Sequence, residues 1–240
     1  MEYIRRWPWI AQQEWHDVLF MHWPVPYDLL KPYVPNPITL ETFEGEAWIS
    51  IILFRAEKSR PRYMPSIISY PSFLQMNIRT YVHFDGEPGI YFLSVDVNRL
   101  FTMVAAKRLL QLPYELADMK MEHLQNQLLF SSKRINQNHS DRKVIVKYRP
   151  LTNKVSHRKG TLSYWLTERY CFWMMFGNRI VKGPLSHEMW TLYHSELDVS
   201  MVKVFQSIPQ KYLHNNPLAH YAKSMVAYLH PFEQIGIYKR

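Results

Sequence analysis

A chain of 240 residues with one cysteine and a net charge of +9 can bury a sizeable core, but it has no disulfide framework and no cysteine-based zinc site. Apolar residues at 47%, aromatic residues at 15% and only 7 glycines exclude disordered and collagen-like chains. The longest uncharged stretch, residues 63–78, holds Pro65 and Pro71 and is too short to span a bilayer as a helix. The N-terminal stretch MEYIRRWPWIAQQEW lacks the apolar run and cleavage pattern of a secretory leader, so a cytoplasmic protein is expected. Basic residues are scattered, densest at Lys58, Arg60 and Arg62 and at Arg142 and Lys143. That distribution reads as a solvated basic surface, and no nucleic-acid partner is expected.

In chain order, the proline-rich segment 23–37 should be extended apart from one short helix at residues 27–32. Residues 42–45 form a turn, and residues 46–54 (EAWISIILF) a strand buried on both faces. Residues 76–84 alternate, with Met76, Ile78, Thr80 and Val82 on one face and Asn77, Arg79, Tyr81 and His83 on the other. Turn chemistry at residues 85–89 links this strand to a second at 90–97, predicting an antiparallel hairpin. Residues 100–112 carry a helical stripe. Strands are predicted at 119–124, 128–135 and 142–149, with residues 137–141 a polar loop. Further strands are predicted at 161–170, 179–182 and 187–197, with a turn at 174–178. Residues 217–229 fit a helix, with Pro217 at its start. Eight to ten strands that do not alternate with helices predict a mainly β fold. Its curved, mostly antiparallel sheet should close into a barrel with two or three short helices, as one domain over residues 1–240.

No dinucleotide-binding, phosphate-loop, nucleophile-elbow or zincin motif is present. His187 and His194, seven apart, would face opposite sides of a strand, and no metal site is expected. Cys171 closes an apolar strand and reads as a buried, inert thiol. Arg79 has two readings. Facing solvent it is ordinary; facing a barrel interior it makes a carboxylate-binding site, because guanidinium pairs bidentately with carboxylates. Glu168, sharing a strand face with Tyr164 and Leu166, could form an ion pair with an interior arginine or serve as an acid. Lys107 beside Arg108 is either a solvated lysine on the polar helix face or an activated amine.

Several segments together resemble the uncharacterised bacterial YqjF-like family: VLFMHWPVP (18–26), LKPYVP (30–35), TFEGEAW (42–48), NIRTYV (77–82), LPY (112–114), TERY (167–170) and GPLSH (183–187). The resemblance runs through nearly the whole chain. It implies a distant branch of the acetoacetate decarboxylase superfamily, with a mainly β, cone-shaped barrel around a buried pocket. Enzymes of that superfamily use a lysine to form a Schiff base with a keto acid, and a second lysine beside it lowers its pKa. A glutamate and an arginine also lie in their pocket. The lysine motif resembles F-P-K-K-L-A, and the matching stretch here is LPYELA (112–117), which puts Tyr114 and Glu115 at the two lysine positions. The pocket glutamate falls near Gln75, and Arg79 is the candidate for the arginine.

A phenol forms no imine, so the resemblance implies a pocket that binds a small carboxylate or keto acid without the imine electron sink. Arg79 is expected to pair with the anion, and Gln75, Asn77, Tyr114 and Glu168 to supply polar contacts. Tyr114 as proton donor, Glu115 as base and Lys107 as a surviving amine are the catalytic candidates. No cofactor is implied, and homo-oligomers are known among the superfamily's enzymes. Two alternatives remain at this level: acid–base chemistry on a keto acid without an imine, and a non-catalytic structural or interaction protein whose barrel is filled by its own rings. With 8 Trp, 16 Tyr and 12 Phe, self-filling is physically reasonable.

Overall fold

The computed structural model describes residues 8–65, 69–100, 103–104, 112–135, 142–204, 208–213 and 216–238. The chain runs β1 (Ala11–Val25), α1 (Tyr27–Leu30), β2 (Thr39–Leu40), β3 (Thr42–Phe43), β4 (Glu46–Pro61), β5 (Phe73–Phe84) and β6 (Glu87–Val97). It continues with β7 (Tyr114–Leu124), β8 (Gln127–Arg134), β9 (Lys143–Lys154), α2 (Leu162–Thr167), β10 (Cys171–Phe176), β11 (Arg179–His187), β12 (Tyr193–Lys203), β13 (Leu218–Leu229) and β14 (Glu233–Ile237). The fold is mainly β, as expected, and the described residues form 14 strands in one sheet rather than eight to ten. Among them, pairing is antiparallel except at β6–β7 and β6–β10.

The sheet closes on itself twice. A ring of 9 strands runs β6–β7–β8–β9–β12–β13–β1–β4–β5 and back to β6. A smaller ring runs β11–β13–β1–β4–β5–β6–β10 and shares the segment from β13 through β6. The shared strands therefore have an interior on each side. In β1 and β4, Leu19, Met21, Ile49, Ile51 and Leu53 pack into one core, while Val18, Phe20, Ile52 and Phe54 pack into the other. This is why residues 46–54 read as an unbroken apolar run: period-two alternation serves two cores. Each such side chain, fully buried, contributes about 1.5–3 kcal/mol.

Two bulges keep the smaller interior lined. In β1, the pairing with β4 shifts between His16 and Leu19, with Asp17 at φ 54°. The extra residue switches parity, so that Trp15 before it and Val18 and Phe20 after it face the same side. Tyr221 Oη–H donates to Asp17 Oδ1 at 2.9 Å, holding the bulge against β13. In β4, a second shift falls opposite residues 12–14, with Lys58 at φ 44°.

Several local expectations differ from the structure. The turns predicted at 42–45 and 85–89 are narrower, because Thr42 and Phe43 form β3 and residues 87–89 open β6. Residues 218–229 form strand β13, not a helix. Its apolar spacing suits either state, but β1 pairs with it along nearly its whole length and β11 and β12 meet its other edge, so tertiary hydrogen bonding overrides propensity. Residues 162–167 form helix α2, not a strand; the Thr161 side chain caps it by accepting from the Tyr164 N–H. The predicted turn at 174–178 is narrower, because Met174 to Phe176 still belong to β10. The predicted strand 187–197 is broken: β11 ends at His187 and β12 begins at Tyr193. Of the helix predicted at 100–112, residues 100, 103 and 104 are helical, and most of the remainder lies outside the described residues, as does the loop at 137–141. No helix among the described residues is long and apolar enough to cross a membrane.

Candidate functional site

The smaller ring surrounds an open cavity of about 310 Å³. Strand β5 forms one wall. Phe73, Gln75, Asn77 and Arg79 occupy alternate positions and all line the cavity. Three expected ligand-binding residues thus lie on one interior face, and the interior reading of Arg79 holds. Gln75 Nε2–H donates to Asn77 Oδ1 at 2.8 Å, which leaves the Asn77 amide N–H groups for the cavity. The register continues the wall sideways: Ile52 sits beside Asn77, Phe54 beside Gln75, and Phe92 beside Arg79.

Arg79 shares the inner end with Arg169, the residue after the α2 C-cap. Both guanidinium groups lie against the buried Tyr81 ring, with centroid distances of 5.8 Å for Arg79 and 5.2 Å for Arg169. Arg169 is tied down. It donates to Glu41 Oε2 at 2.6 Å and to the Trp165 carbonyl at 2.7 Å, and it stacks 4.5 Å over the Trp165 ring. Arg79 has less: its Nη2–H donates to the Leu166 carbonyl at 3.1 Å. Arg79 Nε and Arg169 Nη2 are buried and find no acceptor among the described residues. Burial, together with the Arg169 charge, lowers the Arg79 pKa, opposed by Tyr81. The described cavity wall holds Arg60, Arg79 and Arg169 but no aspartate, glutamate or lysine.

Beneath the arginines, Tyr81 belongs to a buried polar floor. Ser50 Oγ shares hydrogen bonds of 2.6 Å with both Tyr81 Oη and His22 Nδ1. His220 lies 5.4 Å from His22, ring to ring. Burial drives both histidines toward the neutral form, His220 down to about 4. His187 is also in the wall. Its Nδ1–H donates to the Glu188 carbonyl at 2.7 Å, and its ring stacks on Tyr170 at 4.8 Å. Burial lowers its pKa, opposed by that hydrogen bond and by Glu168, so it is neutral near pH 7.

The remaining predicted residues are dispersed. Tyr114 lines the cavity at the start of β7, beside Val95, and burial pushes its phenol up to about 12, so it stays a proton donor. Glu115, next on the strand, is half-buried and forms no part of the cavity wall, so the two do not work as a pair there. Glu168 is buried behind the wall rather than on a strand face with Tyr164 and Leu166. It accepts from His157 Nε2–H at 2.6 Å, from the Trp190 N–H at 2.9 Å and from Tyr170 Oη–H. Burial raises its pKa, but these donors outweigh that and hold it below the usual value. No arginine is its partner in an ion pair among the described residues. Lys107 lies outside the described residues.

Arg169 and His187 were not singled out from the sequence as site residues. Both lay in motifs that carried the resemblance, TERY and GPLSH, and that was the signal. Among the described residues no group of three or more His, Cys, Asp or Glu side chains could hold a metal ion.

This architecture is that of acetoacetate decarboxylase-like proteins. An acetoacetate decarboxylase from Legionella pneumophila subsp. pneumophila str. Philadelphia 1 superposes with a TM-score of 0.66 at 13% identity, over 97% of this chain and 90% of that one. The enduracididine biosynthesis enzyme MppR, complexed with pyruvate, gives 0.64 at 11% identity over 98% and 93%. An acetoacetate decarboxylase-like enzyme from Sphingomonas wittichii RW1 gives 0.64 at 9% identity over 96% and 95%. At these identities the likeness shows the fold. Within it, the chain belongs to the DUF2071 family, described as an uncharacterized conserved protein, whose profile matches residues 12–226. It is 37% identical over 215 residues to the uncharacterized protein YqjF of Bacillus subtilis (strain 168), covering 90% of this chain and 88% of that protein.

Proposed function

We propose that the protein binds a small organic acid, a carboxylate or keto acid, in the cavity of the smaller ring, without imine chemistry. One observation carries the reading. The described wall presents three guanidinium groups and no carboxylate, and buried donors at Arg79 Nε and Arg169 Nη2 have no acceptor there. A buried donor left unmade costs about 1–3 kcal/mol, more when charged, and a carboxylate docked between the two arginines would offset that cost. One step up β5, the Asn77 amide and the Tyr114 hydroxyl are donors for a keto oxygen. A structural neighbour was solved with pyruvate, which supports a keto acid as the ligand type for this fold.

Tyr114 stands where the resemblance places the imine-forming lysine, and no amine lines the described wall. His187, neutral and in the wall, favours one further reading: proton transfer on a bound keto acid without an imine. The primary test is calorimetry with 2-oxo acids and their neutral amides. Acids should bind and amides should not; equal binding overturns the anion site. Incubation with the same acids and cyanoborohydride should leave the intact mass unchanged. A ligand-sized gain on one lysine overturns the loss of imine chemistry.

A further inference from the structure

The cavity is far from uniform along its length, and the strand register orders its groups. Proceeding outward along β5 from Arg79, the neighbours across β4 and β1 change level by level. At Arg79 they are Ser50 and, beyond it, His22; at Asn77, Ile52 and Phe20; at Gln75, Phe54; at Phe73, Ala56 and Trp15. Past that level come Ser59 and Gln13, hydrogen-bonded at 2.9 Å, and then Pro61 and Ala11 at the rim. Tyr70, exposed, and Arg60, which stacks 5.3 Å from the Trp9 centroid, complete the rim. Charge is therefore held at the inner end and again at the mouth. Between them lies an aromatic channel of Trp15, Phe20, Phe54, Phe73 and Trp190.

The channel is long for a pyruvate-sized ligand. Arg79 and Phe73 are six positions apart on an extended strand, roughly 20 Å at about 3.3 Å per residue. A volume of about 310 Å³ holds on the order of ten water-sized groups at about 30 Å³ each. An acid with no apolar body would leave most of the aromatic wall against water, although those rings are the part of the cavity with the most to gain from a ligand.

Resting on the anion site proposed above, we infer that the ligand is an amphipathic carboxylic acid, its carboxylate inward at Arg79 and Arg169 and its alkyl or aryl body in the aromatic channel. Of the polar pair Gln75–Asn77, Asn77 is the nearer to the carboxylate, and a keto or hydroxyl group next to the acid would meet it. Beyond Gln75 the described wall offers nothing to a polar tail until Gln13 and Ser59.

The test is a calorimetric series of straight-chain carboxylates from butanoate to decanoate, with 4-phenylbutanoate, all below their micellar concentrations, and octan-1-ol as the uncharged control. Affinity should rise about fourfold per added methylene, the factor expected for moving one CH₂ out of water, until the channel is full. Octan-1-ol should bind at least tenfold more weakly than octanoate. Phe73→Trp adds bulk at the outer level of the channel, six positions from Arg79 and beyond the reach of butanoate; it should weaken decanoate and leave butanoate unchanged. Its melting temperature shows that it folds. Acids that bind with no dependence on length, or a Phe73→Trp variant that treats long and short acids alike, overturn the inference while the anion site stands. Octan-1-ol binding as well as octanoate overturns the anion site and the inference together.

Discussion

Replacing Arg79 by glutamine should weaken the ligand and strengthen the empty protein. The guanidinium has no carboxylate partner among the described residues: it donates to the Leu166 carbonyl at 3.1 Å and lies against Tyr81, with a second cation, Arg169, across the same ring. A hydrogen bond to a charged group is worth about 1.5–3 kcal/mol. Losing the Arg79 bond should therefore raise the Kd for a carboxylate roughly ten- to hundredfold. In the empty state the balance reverses. The variant gives up a poorly compensated charge and keeps an amide able to donate toward Leu166, for a gain of about 1–2 kcal/mol. For a chain of this size that is a rise in Tm of roughly 2–8 °C. Differential scanning fluorimetry without ligand and calorimetry with octanoate measure the two arms. A lower Tm with unchanged affinity would show that Arg79 braces α2 rather than serving a ligand, and it would sink the argument from unpaired donors.

Acid should unfold the protein early. The folded-state pKa of His220 is held down to about 4, with His22 and His187 shifted the same way. The unfolded chain then binds protons more tightly, so stability is full above about pH 6.5 and falls as pH drops toward 4. His220 alone accounts for about 3 kcal/mol of that loss. Urea midpoints between pH 7.5 and 4.5 should track it, and His220→Gln should flatten the curve; a flat wild-type curve contradicts it. Glu168→Ala strands donors from His157, Tyr170 and Trp190 and should cost about 3–5 kcal/mol in chemical denaturation, against a clearly smaller loss for Glu168→Gln. A Cβ on Gly183 would lie 2.2 Å from Phe172 Cζ, so Gly183→Ala must push that cavity-lining ring aside. It should cost about 1–3 kcal/mol and alter octanoate affinity; a neutral result in both assays would show that the ring has room to move. Finally, burial and Glu87 push the Cys171 thiol up to about 12, so Ellman's reagent at pH 8 should label it only after denaturation.

Much of β5 was legible from its residues. Period-two alternation put Gln75, Asn77 and Arg79 on one face whatever the surroundings, because successive side chains of any strand point opposite ways. The double-sided burial of β4 was equally legible in its unbroken apolar run. Local pattern could not say which face of β5 looks inward, because that depends on ring closure through β10, β11 and β13, far away in sequence. Closure also made a strand of residues 218–229, whose spacing suits a helix, by setting β1 along one edge. It brought Arg169, just past the C-cap of α2, and His187 from β11 to the inner end, although neither stands near Arg79 in the chain. The bulges at Asp17 and Lys58 lay beyond a pattern reading too: each inserts one residue and reverses the parity on which such a reading depends. Residue chemistry, then, set which side chains could share a face. Long-range hydrogen bonding between strands chose which faces meet, because the partners that satisfy each strand edge are contributed by distant parts of the chain.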